Sequence, residues 1–331
     1  MVEQILPGLH RVVVPLPDNP LKEINSYVIT STDRNLIIDT GMNRPQCREA
    51  LEAGLDEIGV DLERTDFIAT HLHADHEALI STFLRNGSRA FMGELDAIPM
   101  KIDFAEWLKN NPVEEYAARS GFPAEELQSS LKNHPGNKYG SRTVVDYIPL
   151  GDGVTFEIGD YRLETVATPG HTSGHISLFE PNKKIFFSGD HVLGDITPNI
   201  QAWSDDQDPL AVYLSSLKKV DGLDVDLCLP GHRSLIENFK GRIAELVEHH
   251  RVRANEVISI LTADRKTAYE TASHMSWDIV ARSWDDFPLM QRWFATGEAI
   301  AHLRYLEGKG LIQRELVGEQ VLYSSDGRSR L

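Results

Sequence analysis

The sequence predicts an α/β protein in which β-sheets are covered by helices, followed by a small C-terminal α+β domain. Three observations support this fold class. Short β-type runs dominate residues 9–71 and 154–232, helical patterns separate them, and the chain changes character after about residue 236. At 331 residues the chain also exceeds the usual size of one domain, so we expect a large domain and a smaller one.

The β-type runs mix alternating and continuous apolar patterns, and glycine, aspartate and proline punctuate them. Strands are predicted within residues 9–16, 25–30, 34–41, 65–71, 154–171, 175–180, 183–191 and 225–232. Helices are predicted at about 44–59, 75–86 and 209–220. Because this order mixes hairpins with crossover connections, the strands should form sheets with helices packed on them.

The long gap between the β-type runs, at about residues 97–145, predicts a helical insertion. Its sequence indicates two or three short helices broken by Pro112 and Pro123. Two interpretations of its apolar side chains are open: a lid over a functional site, or packing of the insertion onto the sheets. The side chains concerned are Phe104, Trp107, Leu108, Tyr116 and Tyr139.

The end of the chain is predicted to form its own domain, residues 246–331, after a first domain of residues 1–245. A long amphipathic pattern leads into it, and helices are then predicted at 267–274 and 297–307. Two short strands follow Gly308 and Gly310. Helix, helix and β-hairpin in this order is a winged-helix-like arrangement.

The C-terminal domain is rich in aromatic residues, which are expected to fill its core, with a substrate pocket or a dimer seam as alternatives. The tryptophans concerned are Trp277, Trp284 and Trp293. A winged-helix arrangement would also suit DNA binding. However, the candidate recognition helix, 297–307, carries Glu298 and Glu307 against Arg304 alone, and phosphate contacts need more basic groups. A structural domain, or one that forms a homodimer, is therefore favoured.

Composition is that of an ordinary soluble protein, with 41% apolar and 25% charged residues. No stretch approaches the ~18 apolar residues of a membrane span. The first residues lack the features of a signal peptide, so we expect a cytoplasmic protein without a membrane partner. Cys47 and Cys228 are too few for a disulfide framework and are expected to be buried apolar residues.

The net charge of −17 is concentrated in the first part of the chain. Residues 1–235 hold 20 basic and 36 acidic residues, whereas residues 236–331 hold 13 and 14. Non-specific affinity for nucleic acid comes largely from basic groups that displace counterions from phosphates. Nucleic acid is therefore a disfavoured partner, and a small-molecule substrate is expected.

The stretch THLHADHEALI places three histidines and an aspartate within six positions: His71, His73, Asp75 and His76. It follows an apolar strand and precedes a helical pattern, which is where functional residues often sit on a rigid scaffold. Imidazole and carboxylate groups are common ligands of zinc-like metals. Chance gives this spacing in about one sequence in a thousand, so the motif predicts a metal site.

One loop rarely completes a metal site, and further ligand types follow later strands. His171 lies in TPGHTSGH, Asp190 in FSGDH and His232 in LPGH, each beside a glycine that permits a tight turn. HxHxDH, GHT, GD and PGH in this order resemble the metallo-β-lactamase superfamily over roughly residues 5–235. That resemblance implies an αββα sandwich with a dinuclear metal site at its loop edge.

The resemblance also implies roles for individual residues. One metal ion would take His71, His73 and His171, the other would take Asp75, His76 and His232, and Asp190 would bridge both. Asp39 in LIIDTG would orient a ligand histidine. His175 and His191 lie beside these motifs but outside the ligand positions. The resemblance favours zinc, with iron or manganese as alternatives, because His73 stands where the diiron electron-transfer relatives often have a glutamate.

Three functions are open at this point. The first is hydrolysis of a small ester or thioester, as in glyoxalase II relatives, by a metal-bridged hydroxide with Asp75 carrying a proton. The second is an endoribonuclease or phosphodiesterase, since a superfamily subgroup with a winged-helix-like C-terminal domain includes an endoribonuclease. The third is a non-enzymatic winged-helix regulator. The negative charge and the helical insertion favour the first.

Overall fold

Two β-sheets lie face to face in the computed structural model, which describes residues 1–102, 112–328 and 330–331. The strands of the first sheet are Val2–Leu6 (β1), Leu9–Pro15 (β2), Glu23–Ile29 (β3), Asn35–Ile38 (β4), Thr65–Ala69 (β5), Ala90–Gly93 (β6) and Ile148–Leu150 (β7). They follow one another in chain order across the sheet. Pairing is antiparallel from β1 to β4 and parallel from β4 to β7.

The second sheet has five strands in the described part of the chain. They are Thr155–Ile158 (β8), Tyr161–Ala167 (β9), Ile176–Glu180 (β10), Ile185–Gly189 (β11) and Leu227–Pro230 (β12). Pairing is antiparallel from β8 to β11, and β11 pairs in parallel with β12. Consequently β9, β11 and β12 run in the same direction and end at the same edge of the sheet.

A continuous apolar layer fills the space between the two sheets. Ile38 and Ile68 of the first sheet contribute to it, as do Leu178, Phe187 and Leu229 of the second. Every residue of β4 and of β5 is buried, as expected for strands covered on both faces. This layer joins the sheets into a sandwich.

Helices cover the two outer faces of the sandwich, so the predicted αββα fold is confirmed. In the described part of the chain, the α-helices up to residue 263 are Pro45–Ile58 (α1), Ala74–Glu77 (α2), Ile80–Phe83 (α3), Glu94–Ala97 (α4), Val113–Arg119 (α5), Ala124–Asn133 (α6), Pro135–Tyr139 (α7), Pro209–Asp221 (α8) and Phe239–Ala263 (α9). Helix α1 packs Leu51 onto Val12 and Val14 of the first sheet. Helices α8 and α9 pack Leu217 and Leu246 into the core beneath the second sheet.

The helix predicted at 75–86 is wrong as a single element, because α2 ends at Glu77 and α3 begins at Ile80. The carbonyl oxygen of His76 accepts hydrogen bonds from the backbone N–H and the hydroxyl of Thr40, at 2.8 and 2.9 Å. In a continuous helix that oxygen would accept from residue 80 instead. Contacts with the loop after β4 therefore interrupt the helix.

The insertion contains the short helices α5, α6 and α7, as the proline positions predicted. Of the residues considered for a lid, Phe104, Trp107 and Leu108 lie outside the described residues. Tyr116 is buried, and its hydroxyl donates to Asp205 Oδ1 at 3.0 Å. Tyr139 packs against the core of the first sheet. Both tyrosines thus pack the insertion onto the rest of the protein.

The C-terminal segment contains Ala268–His274 (α10), Leu289–Gly308 (α11), Gln313–Val317 (β13) and Gln320–Ser324 (β14), with β13 and β14 forming a hairpin. The predicted helix–helix–hairpin order is present, although α11 begins eight residues before the predicted start at 297. The likeness to a winged-helix domain stays a prediction. Residue 245, the predicted domain boundary, lies inside α9.

Of the three tryptophans expected to fill the core of this segment, one is buried and two are partly buried. Trp293 is buried and stacks on Trp203, with ring centroids 3.8 Å apart, and it also packs against Phe122 of the insertion. Trp277 and Trp284 pack partly buried against the core shared with α9. Although α9 and α11 are long, no helix among the described residues is long and apolar enough to cross a membrane.

Both cysteines are free and buried, as predicted. Cys47 packs in the layer between α1 and the first sheet, and Cys228 packs in the core beneath the second sheet.

Candidate metal centre

The seven predicted ligand side chains come together at one edge of the sandwich. His71 follows β5, and His73, Asp75 and His76 lie in the adjoining loop and in α2. The other three residues follow β9, β11 and β12, whose carboxyl ends share this edge; they are His171, Asp190 and His232. The ligand atoms form three overlapping groups, and within each group they lie within 4.8 Å of one another, so each group could hold a metal ion.

One group consists of three histidine ring nitrogens. His73 Nδ1 lies 3.0 Å from His71 Nε2 and 3.0 Å from His171 Nε2. A tetrahedral zinc ion with bonds of about 2.0–2.1 Å holds its nitrogen ligands roughly 3.3 Å apart, which is close to the observed separations. The spacing therefore fits a shared cation.

Hydrogen bonds on the outer side of two rings establish which nitrogen carries the proton. His171 Nδ1 lies 2.8 Å from the carbonyl oxygen of Asn199, and His232 Nδ1 lies 2.6 Å from that of Glu23. A carbonyl oxygen can only accept, so both Nδ1 atoms donate. The neutral form of each ring then presents a lone pair at Nε2, toward the centre of the site.

The second group consists of His71, His76 and Asp190, and the third of Asp75, His76 and His232. Three atoms of these groups are buried without a hydrogen-bond partner among the described residues. These atoms are His76 Nε2, His232 Nε2 and Asp190 Oδ1. Each of the two nitrogens lies 3.5 Å from Asp190 Oδ1, and His232 Nε2 lies 3.4 Å from Asp75 Oδ2. Unpaired buried polar atoms are costly, and a metal ion bound among them would satisfy all three. Nitrogen and carboxylate donors together fit zinc.

Burial and charge divide the histidines into two classes. Burial lowers the pKa of His73 to about 3 and also lowers the pKa values of His71 and His171. Burial acts in the same direction on His232, but Asp190 and Asp75 outweigh it and raise the pKa of His232 to about 10. For His76, burial is likewise outweighed by Asp39 and Asp190, and its pKa is raised.

Asp39 links β4 to the histidine loop. Its Oδ2 accepts from His76 Nδ1 at 2.8 Å and from the Thr70 hydroxyl at 2.9 Å, while its Oδ1 accepts from the Thr70 backbone N–H at 2.8 Å. The backbone φ of Asp39 is +59°, a left-handed value that is uncommon for a non-glycine residue. Such conformations persist where the surroundings hold them, and here three hydrogen bonds do so.

Glycine is required at position 231 because the backbone there passes close to the side chains of Asp190 and His76. A Cβ atom at this position would lie 2.7 Å from Asp190 Oδ1 and 2.8 Å from His76 Cε1. From the sequence, Gly231 is predicted to permit a tight turn before His232. The space beside the ligands is the stronger reason.

Asp96 was missed by the sequence analysis. This buried carboxylate follows β6 and accepts from the backbone N–H of Leu72 at 3.0 Å, from that of Gly174 at 2.6 Å, and from the Thr172 hydroxyl at 2.6 Å. It thereby ties the loop that carries His71 and His73 to the loop that carries His171. An acidic residue three positions after a buried strand, in α4, was the signal available in the sequence.

His175 and His191 also lie beside the site. His175 Nε2 accepts from the backbone N–H of Asp190 at 3.1 Å, and its Nδ1 lies 2.8 Å from the Thr168 hydroxyl. His191 is buried against the ring of Tyr213. His175 therefore supports the backbone at Asp190, and His191 packs behind the site.

Two family models match the chain. The metallo-beta-lactamase superfamily model matches residues 20–232, and the model of the metallo-beta-lactamase-like C-terminal domain matches residues 255–323. The atrochrysone carboxyl ACP thioesterase of Emericella nidulans is 26% identical over 264 residues, covering 80% of this chain and 67% of that protein. The beta-lactamase-like protein 2 homolog of Caenorhabditis elegans is 22% identical, covering 88% of this chain and 81% of that protein.

Solved structures show the same fold over almost the whole chain. A metallo-beta-lactamase family protein from Thermus thermophilus has a TM-score of 0.80 and 28% identity, covering 97% of this chain and all of that one. A beta-lactamase domain protein from Burkholderia ambifaria has a TM-score of 0.81 and 24% identity, covering 98% of this chain and 93% of that one. With the family match spanning more than half its length, the chain belongs to the metallo-beta-lactamase superfamily.

Proposed function

We propose that this protein is a dinuclear, zinc-dependent hydrolase of small esters or thioesters. The observation that carries the proposal is the convergence of histidine nitrogens and carboxylate oxygens, of which His76 Nε2, His232 Nε2 and Asp190 Oδ1 have no hydrogen-bond partner among the described residues. The outer nitrogens of His171 and His232 are held by carbonyl groups, so their inner nitrogens present lone pairs to the site.

In this proposal His71, His73 and His171 hold one metal ion. A second ion is held by Asp75, His76 and His232, with Asp190 between the two. When bound, the metal ions would polarise the substrate carbonyl and lower the pKa of water at the site.

The residues around the proposed ligands orient the histidine rings, and Asp75 supplies a negative charge at the site. Asp39 and the carbonyl groups of Glu23 and Asn199 keep the histidine rings oriented. Asp75 is the buried carboxylate proposed to carry a proton during hydrolysis. Burial raises the pKa of the Asp75 carboxyl group, but His232, whose Nε2 lies 3.4 Å from Asp75 Oδ2, outweighs burial and lowers this pKa to about 2, so Asp75 is ionised at neutral pH.

A thioester substrate is favoured over a nucleic acid. The relative from Emericella nidulans is named as an ACP thioesterase, and its similarity extends over 80% of this chain. The net charge of −17, most of it within the first 235 residues, disfavours a phosphate backbone. An endoribonuclease or phosphodiesterase is the competing enzyme class, and a non-enzymatic regulator is the competing class without catalysis.

The test is a parallel assay of the zinc-loaded protein on an acyl thioester, a lactone, a phosphodiester and single-stranded RNA. We expect the thioester or lactone to be hydrolysed fastest and a chelator to abolish activity. Faster cleavage of RNA or of the phosphodiester would contradict the proposed substrate class. Absence of all hydrolysis by protein shown to contain two zinc ions would contradict the enzyme assignment.

The variants Asp75→Ala and His171→Ala are each expected to lower zinc content and turnover together. His274→Ala is the matched control, since His274 is exposed in the C-terminal segment, and it should leave both unchanged. Zinc content is measured by elemental analysis after gel filtration. Unaltered zinc and turnover in both ligand variants would rule out the assignment of these residues.

A further inference from the structure

Asn199 joins the candidate metal centre to the C-terminal segment. It lies in the loop between β11 and α8, and its carbonyl oxygen accepts the hydrogen bond from His171 Nδ1 at 2.8 Å. Its side-chain amide donates to Glu298 Oε2 at 3.1 Å. One residue therefore contacts both a proposed ligand and helix α11.

Glu298 is held in place from its other side. Its side chain is 13% exposed, and its Oε1 lies 3.4 Å from a guanidinium nitrogen of Arg253 on α9. Arg253 is itself 8% exposed, pairs with Glu256 at 2.9 Å, and lies over the ring of Trp277 at 4.3 Å. A largely buried charged group is retained where it is paired, and both oxygens of Glu298 have partners here.

The backbone of α11 also contacts the loop that contains Asn199. The backbone N–H of Ala202 donates to the carbonyl oxygen of Gly297 at 3.1 Å. A Cβ atom on Gly297 would lie 2.9 Å from Gln201 Cβ and 2.9 Å from Trp203 Nε1. Glycine is unfavourable inside a helix, so its presence in the middle of α11 is explained by this close approach.

We propose that the C-terminal segment positions a metal ligand: Glu298 orients Asn199, and the Asn199 carbonyl group orients His171. Glu298 and Asn199 are thus positioning residues. The inference rests on the proposed function in taking His171 as a metal ligand. A carbonyl acceptor at Nδ1 holds the ring in the tautomer that presents Nε2, and partners of this kind commonly change metal affinity 10–100-fold when removed.

The test uses the full-length protein, stripped of metal and titrated with Zn²⁺ against a chromophoric chelator. Asn199→Asp replaces the donating amide by a carboxylate, which repels Glu298. We expect the affinity of the zinc site that contains His171 to fall about tenfold or more. Asn199→Ala removes the amide without adding charge and is also expected to lower the zinc affinity. This variant replaces Asn199→Asp in the test if Asn199→Asp does not fold.

Rescue separates positioning from a general loss of structure. In the double variant Asn199→Asp, Glu298→Gln, the donor and acceptor exchange places, so the hydrogen bond between the two side chains can form again. We expect zinc affinity to return to within about threefold of the wild type, as a pairwise interaction requires. The visible spectrum of the Co²⁺-loaded protein should change in Asn199→Asp and recover in the double variant.

Arg314→Gln is the matched control. Arg314 binds Asp205 Oδ2 at 2.8 Å, and thus ties the same loop to the β-hairpin without contacting His171. It should lower the melting temperature and leave zinc affinity unchanged.

Three outcomes would overturn the inference. The first is unchanged zinc affinity in folded Asn199→Asp or Asn199→Ala protein. The second is a loss of affinity in Arg314→Gln equal to that in the Asn199 variants, and the third is a double variant that binds no better than Asn199→Asp. Zinc binding by a wild type that hydrolyses no substrate would instead count against the proposed function and leave this inference standing.

Discussion

At the scale of single residues, the candidate centre depends on which ring nitrogen of each histidine faces inward. His76, His171 and His232 each have an oxygen acceptor at Nδ1, from the Asp39 carboxylate or from a backbone carbonyl group. These acceptors leave each Nε2 directed toward the other ligands. Small changes in the acceptors should therefore change metal binding without removing a ligand.

Asp39→Asn is predicted to weaken zinc binding at the site that contains His76. The amide can still accept the Thr70 backbone N–H, but its NH₂ group would then face His76 Nδ1. The ring would be driven to the tautomer that carries its proton on Nε2, which blocks coordination. We expect affinity there to fall about 10–100-fold, measured by calorimetric titration of zinc.

Asp66→Asn is the control for this variant, because Asp66 is a buried carboxylate on β5 that pairs with Arg34 and Arg89 away from the ligands. It should cost stability while two zinc ions still bind. Equal zinc affinities in wild type and Asp39→Asn would contradict the proposed role of Asp39.

Zinc binding at the two sites is predicted to differ in its dependence on pH. The pKa values of His71, His73 and His171 are lowered, so these rings are neutral at pH 7 and bind without releasing protons. The pKa values of His76 and His232 are raised, and that of His232 reaches about 10, so His232 is protonated at pH 7 and must lose a proton to bind. Affinity at the second site should therefore rise steeply as pH rises.

Calorimetry in buffers of different ionisation enthalpy measures this effect. We expect release of at least one proton at the second site and almost none at the first. Equal proton release from both sites would show that the charge states of these histidines have been assigned incorrectly.

At the scale of secondary-structure elements, side chains of the candidate site follow the carboxyl ends of neighbouring parallel strands. The neighbouring strands β4, β5 and β6 are followed by Asp39, His71 and Asp96. Because these strands run in parallel, their carboxyl ends lie at one edge, where Asp96 can join the two histidine-bearing loops.

Asp96→Ala is predicted to destabilise the protein by about 2–4 kcal/mol, since two backbone N–H groups lose a buried acceptor. Urea unfolding of the metal-free protein measures this change. Asp152→Ala is the control: it also removes an acceptor of a backbone N–H group, that of Ala167, but at an exposed position. It should cost less than about 1 kcal/mol. Similar losses in the two variants would argue against a special role for Asp96.

At the scale of the whole molecule, the C-terminal segment is packed into the sandwich. Side chains of α8, α9 and α11 share one core cluster with the second sheet. Trp293 of α11 also belongs to a cluster with Val113, Phe122 and Leu127 of the insertion. The three parts of the chain should therefore unfold together.

Trp293→Ala is predicted to cost about 3–5 kcal/mol, as expected for truncating a buried aromatic side chain. Calorimetry of the wild type should show a single unfolding transition, shifted to lower temperature in the variant. Val280→Ala is the control, because Val280 is fully exposed, and it should be neutral. A separate transition for the C-terminal segment would contradict this coupling.

Much of the fold and of the candidate site could be predicted from local patterns. Alternating and continuous apolar runs located most strands, and Pro112 and Pro123 marked the starts of α5 and α6. The spacing of His71, His73, Asp75 and His76 alone indicated a metal site. The interruption between α2 and α3 could not be predicted, because it comes from Thr40, 36 residues away.

By itself, the sequence determined the α/β class, the order of the elements and the types of side chain available to bind a metal, because these follow from periodicity and composition along the chain. Tertiary structure decided which atoms meet. It placed Asp96 between two loops, Asn199 against His171, and Glu298 against Asn199. Hydrogen bonds between residues almost 100 positions apart depend on how the sheets and helices pack, and local sequence patterns carry no record of that packing.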